Sequence, residues 1–164
     1  MKRVAWLVAA GVSLGCAAGP GGGAAPAPEA AEDPVEYAPF LAGGDAVIEG
    51  RAFVRTRGGG THDATGFPIY LDPLTSYSRA WHRGGTSTDL GAPAPGALFQ
   101  LARQEATAVD EGRFSFSGLA PGWYYVSALV VWDDGSFVPQ THVLRDSVQA
   151  QPGRTVRVVL TRMR

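Results

Sequence analysis

The sequence predicts an all-β protein: a single two-sheet sandwich of about seven short strands, with little helix. Three observations carry that prediction. Apolar and polar residues alternate with period two over several short stretches. Glycine (22) and proline (12) are abundant among the 164 residues and cluster between those stretches, as turn residues do. Residues 110–132 read DEGRFSFSGLAPGWYYVSALVVW, which is strand, turn and long apolar strand in one run. An apolar content of 45% is enough for a core. A net charge of −1 carries no polyanion-binding signal, so nucleic acid is not an expected partner.

Residues 46–57 alternate well: Ile48, Gly50, Ala52 and Val54 face one way, and Glu49, Arg51, Phe53 and Arg55 the other. The 58–66 segment holds three consecutive glycines and reads as a flexible loop. Residues 67–72 make a second strand, with Ile69 and Leu71 on one face and Tyr70 on the other. Residues 73–83 break the pattern, and Ser76 is placed to cap a short helix. A Gly/Pro loop follows over 84–96; residues 97–104 admit a short helix, and 105–109 read better as a third strand. Asp110-Glu111-Gly112 is a tight turn, after which Phe114 and Phe116 point one way and Arg113, Ser115 and Ser117 the other. Pro121-Gly122 turns the chain into 123–132, expected to be buried on both faces. Asp133-Asp134-Gly135 signals a hairpin. Residues 136–149 form a strand interrupted near Pro139, and 155–161 close the domain with Val156, Val158 and Leu160 together.

These residues also carry a likeness. Asp110, Gly112, Phe114, Phe116, Leu119, Pro121, Gly122, Tyr124 and Val126 form a pattern similar to that of carboxypeptidase regulatory-like domains. Gly50 and Ala52, then Gly66, Pro68, Ile69 and Leu71, resemble the family's opening strands. The resemblance implies a transthyretin-like (prealbumin-like) Greek-key β-sandwich. It also implies an accessory or binding module, with carbohydrate binders among the relatives.

The chain divides into three parts. Residues 1–15 read as a lipoprotein signal peptide: Lys2 and Arg3 precede an apolar run from Val4 to Leu14, too short to span a bilayer. Ser13-Leu14-Gly15-Cys16 resembles a bacterial lipobox, making Cys16 the lipidation site; the alternative is an ordinary signal peptide cut near Ala17 or Ala18. Residues 16–44 are the lipidated cysteine, a disordered Gly/Ala/Pro tether and a lead-in with Tyr37, Phe40 and Leu41 on the domain edge. Residues 45–164 are the sandwich domain. Cys16 is the only cysteine, so no internal disulfide exists. A GVSLG match to the nucleophile pattern falls inside the leader, without strand–turn–helix context.

Candidate chemistry is sparse. His62, His82 and His142 are the only histidines and show no ligand spacing, so no metal and no cofactor is expected. Serines are scattered and no catalytic residue stands out. Arg51, Arg55 and Arg57 read as a solvated face. The 73–96 segment is longer than a sandwich connection requires. Its Tyr77, Trp81, His82 and Arg83 are the candidate ligand or partner surface, with Trp81 expected to be exposed; the alternative is that the segment caps an open end of the sandwich. The expected function is that of a non-enzymatic envelope lipoprotein, in the outer membrane of a Gram-negative host. Its partners would be the membrane, through the N-terminal lipid, and an envelope protein or glycan. A carbohydrate- or peptide-binding accessory role is the second reading. A small hydrolase is the third, and would need the histidines and loop carboxylates to converge.

Overall fold

The computed structural model describes residues 30–83, 96–135 and 137–163. The signal peptide, Cys16 and the tether through residue 29 lie outside the described residues, as do residues 84–95 and Ser136. Eight strands form two four-stranded sheets, the all-β sandwich that the alternation predicts. In the first sheet, β1 (Ala46–Arg55) pairs in parallel along most of its length with the closing strand β8 (Thr155–Met163). Its other side is shared, antiparallel, between β5 (Arg113–Leu119) and the short β2 (Thr61–Asp63). The second sheet is antiparallel in the order β4 (Gln104–Thr107), β3 (Pro68–Pro73), β6 (Gly122–Trp132), β7 (Gln140–Ala150).

Strand alternation explains the core. Ile48, Ala52, Val54, Phe114, Phe116 and Leu160 project from the first sheet onto Ile69, Leu71, Val126, Val130 and Leu144 of the second. Arg113, Ser115 and Ser117 point outward, as expected. Gly50 leaves room on the inner face for the Phe114 ring, which a Cβ there would meet. At the 110–112 turn Gly112 has φ +71, and a Cβ would strike the Ala52 carbonyl, so only glycine fits.

Several local readings are corrected. The 58–66 segment is not all loop, because residues 61–63 add β2 to the sheet edge. The Pro121-Gly122 turn hands the chain from one sheet to the other, so β5 and β6 face each other across the core and do not pair. Tyr124 closes that corner by donating its hydroxyl to the Ala120 carbonyl at 2.9 Å. Burial pushes its phenol up to about 12. The β6–β7 connection extends through Pro139, which lacks the N–H a ladder needs, and β7 starts at Gln140.

The larger correction is a helical layer. Residues 34–42, read as part of the lead-in, form helix α1 (Pro34–Ala42). Helices α2 (Ser76–Arg83) and α3 (Ala97–Ala102) join it over the outer face of the second sheet. Tyr37, Tyr77, Trp81, Phe99 and Ala102 make a second core there. The caps explain why the layer forms. Asp33 Oδ1 accepts from the Val35 amide at 2.8 Å, with Pro34 at the first helical position. Thr75, not Ser76, caps α2: its Oγ1 accepts from the Ser78 amide at 3.1 Å, while Ser78 Oγ accepts from the Thr75 amide at 2.8 Å. Ser76 instead donates its amide and hydroxyl to the Glu36 carboxylate, each at 2.7 Å. Glu32 does the same for α3, accepting from the Leu98 and Phe99 amides at 3.1 and 2.6 Å. Two carboxylates from the lead-in thus hold the first turns of two other helices.

Candidate functional site

The structure does not make an exposed platform of the 73–83 residues. Trp81 is 4% exposed and Tyr77 5% exposed, both inside the helical layer, which corrects the expectation of an exposed Trp81 ring. The physical reason is amphipathicity: Tyr77, Ser78 and Trp81 share the inward face of α2. Arg83 is exposed at the end of that helix.

His82 enters a buried polar knot. Its Nε2 lies 3.0 Å from Asp72 Oδ2, and Arg103 donates to the same carboxylate through Nε (2.6 Å) and Nη2 (3.0 Å). The Arg103 guanidinium is stacked among the rings of Tyr70, Trp81 and Phe99. Arg145 reaches in from β7, donating to Ser127 Oγ at 3.2 Å and to the His82 carbonyl at 3.3 Å. Burial alone would push the Asp72 carboxyl up, but the hydrogen bonds from His82 and Arg103 hold it below its ordinary value. Burial presses the His82 pKa down, against the pull of Asp72 and with the help of Arg145 and Arg103. His82 is therefore neutral at pH 7, with the Nε2 proton directed at Asp72. Its Nδ1 is buried and has no hydrogen-bond partner among the described residues. Among the described residues no nucleophile is poised on the imidazole, and the knot ties α2, the α3–β4 junction and the second sheet together. The other two histidines are elsewhere: His62 and His142 each stack on Trp132, at 4.7 and 5.3 Å between ring centroids. Among the described residues no cluster of three or more His, Cys, Asp or Glu could hold a metal.

An accessible groove lies on the other sheet. It measures about 610 Å³ and crosses the outer face of the first sheet. Glu49 and Arg51 of β1, Arg113 and Ser115 of β5, and Arg157 and Val159 of β8 line it. It ends against Thr107 and Val109. Arg51 donates through Nε to the Glu111 carbonyl (3.2 Å) and pairs through Nη2 with the Glu111 carboxylate (3.3 Å). Arg113 stands 4.0 Å from Asp110, and Arg157 3.6 Å from Glu49. All three pairs are solvated and hold weakly. Val109 and Val159 are each more than half exposed, so the groove carries apolar strips between its charges. Glu111 has φ 60, the only positive φ at a non-glycine among the described residues.

Alternation in the sequence placed Glu49, Arg51 and Arg113 on polar faces. It could not place them beside one another, because the parallel β1–β8 pairing joins residues more than a hundred positions apart. The knot had one local signal: Asp72 is an acid at the end of an otherwise apolar strand.

Fold and surface together define a two-sheet β-sandwich with one outer face capped by helices and the other open as a charged, partly apolar groove. A crystal structure from Pseudomonas aeruginosa, of a candidate carbohydrate-binding protein, is similar to this chain. The identity is 26% and the TM-score 0.66, over 80% of this chain and 97% of that one. An (S)-allantoin synthase overlaps at 17% identity and a TM-score of 0.34, over 74% of this chain and 42% of its own. No protein-family model and no curated protein matches the chain.

Proposed function

We propose that the chain is a non-enzymatic saccharide-binding module of the bacterial envelope, tethered through lipid on Cys16. The observation that carries the binding role is the likeness to the Pseudomonas aeruginosa protein, which extends over nearly all of that chain at 26% identity. The open groove gives the role a place: it combines hydrogen-bonding forks with apolar strips, the mixture a sugar ring's hydroxyls and C–H faces call for. The resemblance of residues 110–126 to carboxypeptidase regulatory-like domains supports the same reading, since that family supplies accessory modules. The burial of the Asp72–His82–Arg103 knot under the helical layer supports a non-enzymatic role, because it holds its one histidine away from the groove. Support for anchoring comes from the Ser13-Leu14-Gly15-Cys16 sequence after an apolar run.

Two measurements test the proposal. The purified protein is applied to a panel of neutral and acidic polysaccharides, and wild type and Cys16→Ala are fractionated from cells. The expected outcome is retention on at least one polysaccharide, with wild type in the membrane fraction and Cys16→Ala released or unprocessed. Absence of retention across the panel overturns the saccharide role, and a wholly soluble wild type overturns the anchor.

A further inference from the structure

We propose that the groove takes an acidic saccharide and that Arg51 and Arg113 together receive one of its carboxylates. This rests on the saccharide reading above and narrows it. Arg51 and Arg113 are directly opposed partners on β1 and β5. Opposed residues on one face bring their Cβ atoms to about 5 Å, where like charges repel. Two adjacent guanidiniums therefore need anions, and at present Glu111 and Asp110 supply them from the exposed 110–112 turn. Those pairs are solvated on both sides, so a ligand carboxylate can replace them. Guanidinium forks match a planar carboxylate in a bidentate manner, which a lone ammonium cannot do.

The surroundings fit the same ligand. Glu111 holds the left-handed backbone while its carbonyl and carboxylate both engage Arg51, so the anion now seated on Arg51 rides on a strained turn. Arg157 on β8, the strand beyond β1, is 85% exposed and adds a third cation along the groove. Val109 and Val159 flank this row with exposed apolar surface, against which the C–H face of a sugar ring can lie. A neutral saccharide would use the strips and leave the paired guanidiniums with no task beyond holding a turn.

The experiment compares the affinity of the full chain for polygalacturonate, dextran and polyglutamate. It is repeated with Arg51→Gln, Arg113→Gln and Arg83→Gln, the last on the helical side of the molecule. Polygalacturonate is expected to bind well above the other two. Each groove substitution should weaken it about tenfold, the loss of one charge-assisted pair, and Arg83→Gln should leave it unchanged. Raising salt from about 0.1 to about 1 M, which cuts the screening length from about 10 to about 3 Å, should weaken wild-type binding without recourse to any variant. Equal binding of dextran, unmoved by the groove substitutions, overturns the acidic ligand and leaves the saccharide role standing. Equal binding of polyglutamate overturns the saccharide specificity, and a loss with Arg83→Gln as large as with Arg51→Gln overturns the location.

Discussion

Ser115 and Phe116 are adjacent in sequence and opposite in environment, so they test register at single-residue resolution. Phe116 is buried in the sandwich core, and Phe116→Ala should lower stability by about 3–5 kcal/mol, the range for a truncated core aromatic. Ser115 is exposed, and Ser115→Ala should stay within about 0.5 kcal/mol in a denaturant titration. Equal effects would mean that β5 is turned over. The buried pair gives a second residue-scale test, in pH. His82 titrates below its ordinary value because it is buried beside Arg103 and Arg145, despite Asp72. The unfolded chain therefore takes up the proton first, near pH 6.5, and stability falls as pH drops below that point. Asp72 is also lowered, so its contribution persists until more acidic pH and is lost below the ordinary carboxyl range. The melting temperature should be level above about pH 7 and decline below about 6.5, and His82→Gln should flatten the first part of that decline. An identical slope in His82→Gln would remove His82 from the account.

At the scale of elements, the helical layer is held by caps that come from outside the sandwich. Glu32 and Glu36 bond the first turns of α3 and α2, and Thr75 donates to Tyr37 Oη at 3.0 Å. Deleting residues up to 44 should leave Tyr77, Trp81 and Phe99 partly bared and lower the melting temperature by many degrees, while a chain starting at residue 30 melts like the full protein. Trp81→Ala should cost about 3 kcal/mol or more, since the ring is buried against Phe99 and Arg103. Saccharide retention should survive whatever fraction of that variant remains folded. The strands were legible in the sequence because period two is a local signal; Ile48, Phe114, Phe116 and Leu160 fall on the core side as alternation placed them. The 34–42 helix was missed although Asp33-Pro34 is a local N-cap signal, because Pro39 interrupts its pattern and the bonds from Glu36 and Glu32 that tie it to the other helices reach residues 40 to 67 positions away. For the same reason Trp81 was read as exposed: the partners that bury it, Phe99 and Arg103, are distant in sequence. The groove needs strand order, which composition and spacing do not contain.

At the scale of the whole molecule, helix α1 and the groove lie on different faces. Helix α1 packs with α2 and α3 over the second sheet, whereas Arg51, Arg113 and Arg157 stand on the outer face of the first. The buried knot of Asp72, His82 and Arg103 lies between the helical layer and the second sheet, and the hydrophobic core separates it from the groove. On the proposed reading, an anchor ahead of α1 would be mechanically separate from recognition in the groove. A chain attached to a membrane through residues ahead of α1 can turn its groove away from the anchor without disturbing either sheet. On the proposed anchoring, the measurable consequence is that a protein starting at residue 30 should bind polygalacturonate within about twofold of the full chain held on vesicles. A membrane attachment outside the groove alters local concentration and leaves intrinsic single-site affinity untouched. The comparison must use short oligogalacturonides, so that one ligand meets one groove and avidity on the vesicle surface does not enter. A loss of tenfold or more in the shortened protein would place part of the site in residues 1–29, and the two faces would no longer be separate.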